Sequence, residues 1–379
     1  MFMKRPTTWI GIATAFLFQL IFSVVWMTGY DGVTDRIENL RVGIVNEDEG
    51  LGVRVAEQLK SVLPVKTEAL ADMADAEKAL NERGLQMVIR IPASFSADAT
   101  AADKKAAIEY RLNESNPATI KTMMTGLSAQ ATAAVNKAIV AQGVQGALIQ
   151  AKLPDDRAKP AAEALSERVT ARIVSDNPVD GMNNQMVPMM LVLASYVGAM
   201  IMGMNLEQSS MMLAGQAGRW QRFAARGAFN VAAAALVSLV GASLVSALGS
   251  GAEQGFLALW GMLFLVMLTF LFVSQMFLLL FGMGGMLFNI LALSAQLVSS
   301  GAMVPRELLS GFYHGLGEAL PATYAVEGMM NVLFGGPGIG GPAAGLTIIA
   351  AAALGLGAVA VAVKRGRQPL QAAAVSRQA

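Results

Sequence analysis

Few residues of this sequence have the types and the spacing needed for chemistry. Glu47, Asp48 and Glu49 are consecutive, and their carboxylate oxygens could bind a hard cation. We prefer the alternative that they follow a strand and precede a helix, where the amide dipoles favour negative charge. His314 is the only histidine, and no serine or acidic residue stands at a recognisable motif spacing from it. The chain also has no cysteine, so the sequence predicts no catalytic, metal or cofactor site and argues against an enzyme.

A second group of polar side chains lies in or near long apolar segments. Amides inside a membrane either line a path for a substrate or form hydrogen bonds between helices. The sequence leaves both interpretations open for these residues. They are Asn205, Asn230, Gln275, Asn289 and Gln296.

The elements that must position these side chains are mostly apolar. Of the 379 residues, 54% are hydrophobic and only 15% are charged, whereas soluble domains carry about 25% charged residues. The stretch from Gln254 to Pro305 has no Lys, Arg, Asp or Glu. It is long enough for two crossings of a bilayer, because one crossing takes about 20 helical residues. The chain is therefore a membrane protein with lipid as its main solvent, and its net charge of +1 gives no basic field for nucleic acid.

Six apolar segments are predicted to be transmembrane helices, which makes the fold class an α-helical polytopic membrane protein. The first, Trp9 to Met27, is longer than the apolar core of a signal peptide and no cleavage site follows it. We interpret it as an uncleaved helix, and a signal peptide is the alternative. The other five are Met186 to Leu206, Gly227 to Leu248, Phe256 to Phe281, Met286 to Met303 and Ala343 to Val363.

Residues 31–182, between the first two spans, have charged side chains every few positions and the periodicities of a soluble fold. Strand patterns alternate with helical ones, which predicts βαβ crossovers and a small sheet with parallel pairs. The predicted strands are Arg41 to Asn46, Val65 to Leu70, Leu85 to Ile91 and Ala106 to Asn113. A helix of about thirty residues is expected after Pro117, and Leu165, Val169 and Ile173 predict one more amphipathic helix. We expect an α/β domain inserted between helices 1 and 2.

The positive charges predict the orientation. Basic residues cluster before the first span, between the second and third, and after the sixth, which all fall on one side. By the positive-inside rule this side is cytoplasmic. We therefore expect a multi-pass protein of the plasma membrane with both termini in the cytoplasm, residues 31–182 outside, a cytoplasmic loop at 207–226 and a cytoplasmic tail at 364–379.

The segments at the two membrane surfaces suggest two sites. The loop 207–226 is the longest cytoplasmic segment, and its end combines aromatic and basic side chains that could dock a partner. Those side chains are Arg219, Trp220, Arg222, Phe223 and Arg226. The alternative is a positively charged anchor without a partner.

The outer segment 306–341 is too long for a turn, and its pattern predicts two short helices that dip in from the outer surface, separated at Pro321. We expect these helices to form an outer gate with Pro305, Pro321, Tyr324 and Gly328. The alternative is an amphipathic pair lying flat on the membrane.

Three stretches resemble the type 2 ABC exporter permeases, the ABC-2 family, and in particular its YhgE/Pip branch. They are NEDEG at Asn46 to Gly50, VIRIPASFS at Val88 to Ser96, and the segment Ser299 to Gly336, which carries the prolines and Tyr324 named above. The resemblance implies a permease that pairs with itself or with a related permease and is driven by a separate cytoplasmic ABC ATPase. In agreement, the chain has no Gly-Lys pair and hence no phosphate-binding loop. It departs from many phage-infection proteins in lacking a long heptad-rich external region.

The function expected from this resemblance is export of a hydrophobic or amphipathic compound. A second hypothesis is a membrane-anchored surface receptor or scaffold that does not transport. Five spans beyond the first are more than an anchor needs, because one span would hold the external domain. An integral membrane enzyme would require a catalytic constellation that the sequence does not contain.

Overall fold

The computed structural model describes residues 32–101, 104–150, 169–179, 184–248 and 251–363, together with Val25, Thr28 and Tyr30. The predicted first span, Trp9 to Met27, lies outside the described residues except for Val25, and so does the predicted cytoplasmic tail, 364–379. Helices and strands are numbered below in chain order through the described residues.

A five-stranded mixed sheet organises the N-terminal half. Its strands are β1 (Arg41–Asn46), β2 (Lys66–Leu70), β3 (Met87–Ile91), β4 (Ala106–Asn113) and β5 (Val169–Asp176). The spatial order is β2-β1-β3-β4-β5. β1 runs parallel to both β2 and β3, β4 is antiparallel to β3, and β5 is parallel to β4. The first four strands lie where the sequence pattern predicts them, within one or two residues.

Helices cover both faces of the sheet. They are α1 (Leu51–Val62), α2 (Met73–Asn81), α3 (Phe95–Thr100) and α4 (Ala118–Gln150). β3 shows how the core is divided: Met87 and Ile89 point into the larger core with α1, α3 and α4, while Val88 packs with Leu80 of α2 on the other face. This alternation follows from the two-residue period of a strand. The sheet with its helices is called the sheet domain.

The predicted amphipathic helix around Val169 and Ile173 is wrong, because residues 169–176 form β5. β5 pairs with β4 along its whole length, from Ala106 opposite Val169 to Asn113 opposite Asp176. Its start is fixed by Asn136 of α4, which donates to the Val169 carbonyl at 2.9 Å and accepts from its amide at 2.7 Å. β5 is a largely exposed edge strand, so it has no apolar alternation to distinguish it from a helix. Leu165, the third residue of that pattern, lies outside the described residues.

The C-terminal half is a helical bundle. Its long helices are α5 (Val187–Met212), α6 (Arg219–Leu248), α7 (Phe256–Phe281), α8 (Gly285–Ser299) and, after two short helices, α11 (Gly340–Val363). The short helices are α9 (Gly311–Ala319) and α10 (Pro321–Phe334). Four stretches of the described residues are long and apolar enough to cross a membrane: α5, α6, the 256–299 stretch of α7 and α8, and α11.

The number of crossings predicted from the sequence, six, stays a prediction. α7 and α8 are separated at Gly282, whose φ of 62° is readily adopted by glycine. α8 has only 15 residues, which gives it a length of about 22 Å, shorter than the roughly 30 Å apolar core of a bilayer. The predicted fifth span, Met286 to Met303, thus ends as a helix at Ser299 and continues as irregular chain.

α7 is the central helix of the bundle. It contacts α5, α6, α8, α10 and α11. Half of the most apolar window of the α7–α8 stretch is buried inside the protein, compared with 17% for α6. The stretch of α7 and α8 is therefore the most enclosed of the four, and the remaining long helices expose most of their apolar surface outward.

Candidate functional site

The sheet domain and the helical bundle meet along residues 300–336, a segment that we call the junction. Leu308 is completely buried, and it belongs to the same core as the strands of the sheet domain. Two hydrogen bonds reinforce this contact: Arg36 donates to the Leu308 carbonyl at 2.6 Å, and Thr119 donates to the Met303 carbonyl at 2.8 Å. The segment that follows α8 is thus packed against the sheet domain.

Arg83 makes the most extensive polar contact across the junction. It follows α2 with a φ of 60°, a left-handed conformation that is uncommon for a residue with a side chain. Its guanidinium donates to the side-chain carbonyl of Asn331, to Ser115 Oγ at 3.2 Å and to the carbonyl of Gly335 at 3.2 Å. Burial lowers the pKa of Arg83 to about 10, partly offset by the charge of Glu327. Arg83 therefore keeps its charge at neutral pH.

Asn331, the partner of Arg83, ties three parts of the structure together. It lies fully buried near the end of α10, donates to the carbonyl of Gly338, and accepts through its backbone carbonyl from Gln254 Nε2 at 3.1 Å. The backbone amides of Glu253 and Gln254 donate to carbonyls in the same turn of α10. The sheet domain, the end of α10 and the connection before α7 are therefore fixed to one another.

A polar cleft of about 270 Å³ opens between the sheet domain and the helices α9 and α10. Six charged or titratable side chains line it: Glu82, Arg83, Arg306, Glu307, His314 and Glu327. A narrow apolar cleft of about 20 Å³ lies between α5, α7, α8 and α10. Ser300 and Val326 line both clefts, so the two are neighbours with a shared wall.

The four residues of the predicted outer gate all lie in or beside this region. Pro305 lines the polar cleft, and Pro321 is the first residue of α10, a position that suits the fixed φ of proline. The Tyr324 hydroxyl donates to the Glu318 carbonyl at 2.9 Å, and its ring lies against Gly345 of α11. Gly328 lets α10 approach Met262 of α7, because a Cβ there would fall 1.8 Å from the Met262 side chain.

Two short helices are present in this segment, as predicted. Eleven of the 14 residues of α10 are buried, including Pro321, Val326 and Met330, so α10 packs inside the protein. This burial argues against a position flat on the membrane for α10, whereas in α9 only Tyr313 and Gly317 are buried and the alternative stays open. A gating role stays a prediction.

The structure brings together some of the predicted path-lining amides. Asn230 of α6 donates to Gln275 of α7, and both are buried. Asn289 of α8 accepts from the Tyr196 hydroxyl at 3.3 Å and donates to the Ser274 carbonyl at 3.3 Å. These contacts favour interhelical hydrogen bonding over path lining for Asn230, Gln275 and Asn289.

The other two amides differ from those three. Gln296 lines the apolar cleft and accepts from the Ala322 amide at 3.2 Å. Asn205 is exposed and donates back to the Ile201 carbonyl of its own helix at 2.9 Å. Of the five predicted residues, Gln296 alone lines either of the two clefts described above.

The segment 207–226, predicted to be a loop, is mostly helical. α5 continues to Met212 and α6 begins at Arg219, so only residues 213–218 connect them. Its basic residues bind other helices: Arg226 pairs with Glu207 at 2.6 Å, Arg222 donates to the Ser210 carbonyl at 2.8 Å, and Arg219 donates to the Ala362 carbonyl at 3.1 Å. The segment is helical and not a loop because each arginine on the first turns of α6 can reach a carbonyl or carboxylate at a neighbouring helix end.

The aromatic pair of this segment is more accessible. Trp220 is 48% exposed and packs edge-on against Phe223, with ring centroids 6.0 Å apart. Met212 and Leu213 beside it are also exposed. The structure thus separates the five predicted docking residues into three arginines that hold helix ends together, Trp220, which presents apolar surface, and Phe223, which packs against it.

The acidic triplet is used within the sheet domain. Asp48 is 4% exposed, and its carboxylate accepts from the amides of Gly50, Gly52 and Ser96, each at 2.9 Å. Burial by itself would raise the pKa of Asp48, but these hydrogen bonds and one from the Ser96 hydroxyl outweigh it and hold the pKa below its usual value. Within the described residues there is no group of three or more side chains that could hold a metal ion.

Glu47 also has a partner within the sheet domain. Its carboxylate forms a two-pronged ion pair with Arg90 of β3, with both nitrogen–oxygen distances at 2.9 Å. The cation interpretation of the triplet therefore lacks support, since Asp48 and Glu47 are both engaged by protein groups.

Sequence reasoning did not single out Arg83, Asn331 or Glu327. The residue in the left-handed conformation after α2 is Arg83 and not the glycine that follows it, an unfavourable choice that is explained by the contacts of Arg83 with the junction. The one signal in the sequence for these contacts was the arginine itself at position 83. Nothing local marks Asn331 or Glu327, because Arg83, which Asn331 binds and whose pKa Glu327 influences, is far away in the sequence.

A bundle of long apolar helices joined to a sheet domain defines the class: a multi-pass membrane protein. The model of the family described as ABC-2 family transporter protein matches residues 7–363. The chain therefore belongs to the ABC-2 family of transporter proteins. The comparison with curated proteins and the comparison with solved structures each gave no match.

Proposed function

We propose that this chain is the permease subunit of an ABC-2 type exporter of the YhgE/Pip branch. In this proposal it moves a hydrophobic or amphipathic compound outward and uses ATP hydrolysed by a separate cytoplasmic ABC ATPase. It acts as a pair, either with a second copy of itself or with a related permease. The family match supports the permease role, and the three stretches that resemble the YhgE/Pip branch support the finer assignment.

The observation that carries the proposal is the central position of α7. A receptor anchor needs one helix in lipid, whereas here a long apolar helix is enclosed by α5, α6, α8, α10 and α11. Lipid would solvate the apolar surface of this helix equally well, so an anchor gains nothing from the enclosure. A transporter needs it, because its pathway forms between packed helices.

The proposed topology places the sheet domain outside the plasma membrane and both termini in the cytoplasm. Two features at opposite ends of the long helices support it. One end carries the sheet domain and the Gln254 connection that contacts Asn331. The other carries Arg219, Arg222 and Arg226, the charge distribution that the positive-inside rule associates with the cytoplasm.

The proposed docking surface for the ATPase is the α5–α6 turn with its exposed apolar side chains. Met212 is 80% exposed, Trp220 48% and Leu213 45%. Apolar groups beside the charged end of a bundle are typical of a protein interface, and tryptophan is enriched among residues that dominate binding energy. The ion pair of Arg226 with Glu207 keeps the two helix ends together beneath this surface.

The outer gate is proposed to consist of α9 and α10. α10 is buried in the bundle, while the segment before it is anchored in the sheet domain through Leu308. A movement of the sheet domain would therefore be transmitted to α10. Pro305, Pro321, Tyr324 and Gly328 would set the position of the two helices.

Copurification tests the proposal. The full-length chain, extracted from its own membranes, should bring with it an ABC ATPase that hydrolyses ATP and loses this activity when the lysine of its phosphate loop is replaced. Trp220→Ala should weaken the association by about 2 kcal/mol. Phe229→Ala is the matched control, because Phe229 is an aromatic residue of the same helix that is 62% exposed away from the turn. Recovery of a folded chain without any ATPase would favour the receptor or scaffold instead.

A further inference from the structure

The charges that line the polar cleft are not equally engaged. The guanidinium of Arg83 has three acceptors in the protein, and that of Arg306 donates to the His314 carbonyl at 3.0 Å and lies 3.8 Å from Glu318. His314 is also 3.8 Å from Glu318, a carboxylate that does not line the cleft. Both arginines of the cleft therefore have acceptors in the protein, although Nε of Arg83 and Nε of Arg306 are buried without one.

The carboxylates of the cleft, in contrast, lack such contacts with the protein. Glu82, Glu307 and Glu327 all line it, and none of the three has a side-chain hydrogen bond or an ion pair within 4 Å among the described residues. Glu327 is close enough to Arg83 to influence its pKa, but the two form no direct pair. Glu82 and Glu307 are exposed, whereas Glu327 is half-buried, where an unpaired carboxylate is costly.

Glu327 is the carboxylate best placed to bind a ligand. It is half-buried on the face of α10 that also presents Thr323, Val326 and Met330 to the polar cleft. This face is mostly apolar apart from Glu327. A ligand bound against this face of α10 would contact one negative charge among mostly apolar side chains.

The neighbouring apolar cleft begins at the same helix. Val326 and Ser300 form its wall toward the polar cleft, and Tyr196, Phe270 and Leu293 line the rest. Gln296 also lines it, and its Nε2 is buried near the Tyr196 hydroxyl without a well-directed hydrogen bond. The cleft is narrow, about 20 Å³, so it admits a thin apolar chain only as its flexible side chains, such as Met189, move aside.

We propose that the polar cleft binds the cationic head of an amphiphile at Glu327 and that the apolar chain of the same molecule enters the neighbouring cleft past Val326. The proposal rests on the proposed export function for its meaning, since it names the substrate class as amphiphiles with a positively charged amine or ammonium group. Glu82 and Glu307 at the rim attract the cation, and Arg83 with Arg306 hold the walls in place.

Photocrosslinking tests the proposal on the full chain reconstituted in nanodiscs of phosphatidylcholine, without any ATPase. The probe is a long-chain alkyltrimethylammonium with a diazirine in the chain, and the matched probe is an alkyl sulfonate with the same chain and diazirine. We expect the ammonium probe to label peptides that contain Val326 or Ser300, and the sulfonate to label them far less. Equal labelling by the sulfonate, or labelling confined to other helices, would overturn the proposal.

Three variants sharpen the test. Glu327→Gln should reduce labelling by the ammonium probe about fivefold, the effect of one partly screened ion pair. Glu327→Asp keeps the charge and should retain most of the labelling. Glu318→Gln removes a carboxylate that already has partners outside the cleft, so labelling should not change. Undiminished labelling of a Glu327→Gln chain that elutes as folded protein would contradict the role of Glu327.

This experiment separates the inference from the proposed function. Labelling needs only the permease, whereas the proposed function is decided by the associated ATPase. A chain that recruits an ATPase but shows no preference for the cationic probe would remain an exporter of another substrate class. A chain that binds the cation without recruiting an ATPase would be a receptor for such amphiphiles.

Discussion

The guanidinium of Arg83 in the sheet domain donates a hydrogen bond to the side chain of Asn331 in α10, 248 positions later in the sequence. Asn331 is fully buried and Arg83 is partly buried, and Asn331 in turn binds the connection before α7. This contact makes the sheet domain and the helical bundle one mechanical unit at the junction. Its removal is therefore the most direct test of the junction.

Asn331→Ala should destabilise the attachment of the sheet domain by about 1–3 kcal/mol, because the partly buried guanidinium of Arg83 loses one acceptor. Limited proteolysis of the native protein at residues 177–187 and thermal unfolding of the detergent-solubilised chain would measure this. Asn39→Ala is the control, since Asn39 makes one exposed hydrogen bond, to Lys66 at 3.4 Å. Equal behaviour of the two variants would show that the Arg83 contact does not hold the junction.

Asp48 should make the sheet domain sensitive to acid. Its pKa is lower in the folded state than in the unfolded chain, because hydrogen bonds from Ser96, Gly52 and Gly50 outweigh the effect of burial. The stability that it contributes is fully present above its unfolded pKa of about 4. This contribution is lost as the pH falls through the lower, folded pKa.

Asp48→Asn should cost about 1–3 kcal/mol at neutral pH and should flatten the decline of stability below pH 4 or so. Circular dichroism of the purified chain as a function of pH would record both effects. Asp72→Asn is a suitable comparison, because Asp72 is a carboxylate that accepts one exposed hydrogen bond at the start of α2. An unchanged acid transition in the Asp48 variant would show that another group controls it.

The ion pair between Arg226 and Glu207 should stabilise the turn between α5 and α6. Both side chains are largely buried, 7% and 12% exposed, so Arg226→Met leaves an unpaired carboxylate and should cost about 3–5 kcal/mol. Adding Glu207→Gln to that variant should restore much of the loss. The double-mutant cycle, measured by thermal unfolding in detergent, would give additive effects if the two residues acted independently.

Single cysteines can test the proposed orientation cleanly, because the natural chain has none. Ser94 and Ser209 are both exposed, one before α3 and the other in the last turns of α5. Ser94→Cys should react with a membrane-impermeant maleimide in intact cells, and Ser209→Cys only after permeabilisation. The reverse labelling pattern would invert the whole topology.

Pro321→Ala tests the proposed outer gate. Alanine is tolerated at the first position of a helix, so the free energy of unfolding should change by less than about 1 kcal/mol. The backbone at the start of α10, however, is no longer fixed by the proline ring. We expect expression and pairing of the permease to persist and the coupling of ATP hydrolysis to export to fall. Tyr324→Ala should act in the same direction, since it removes the hydrogen bond to Glu318 and the contact with Gly345.

Phe312→Ala provides the comparison for the gate variants. Phe312 belongs to α9 but is 71% exposed, so it should have no role in the position of α10. Full coupling in both the Pro321 and the Tyr324 variants would count decisively against a gate.

The sequence by itself determined the features that depend on local pattern. Uncharged stretches near 20 residues long predict membrane helices, and alternation with a period of two predicts strands such as β3 and β4, because both signals are contained in a few consecutive residues. The prolines and glycines of the junction likewise predicted two short helices around Pro321. The ABC-2 resemblance came from short stretches of the same kind.

Only the tertiary structure decided which of these elements meet. β5 forms because the edge of β4 offers hydrogen bonds, not because its own residues alternate. Arg222 and Arg226 turn inward because Ser210 and Glu207 lie within reach on α5. Arg83 and Asn331 come together across 248 positions of sequence. Hydrophobic periodicity is a property of neighbouring residues, whereas the pairing of buried polar groups depends on distant ones, and this is why the clefts could not be predicted from the sequence.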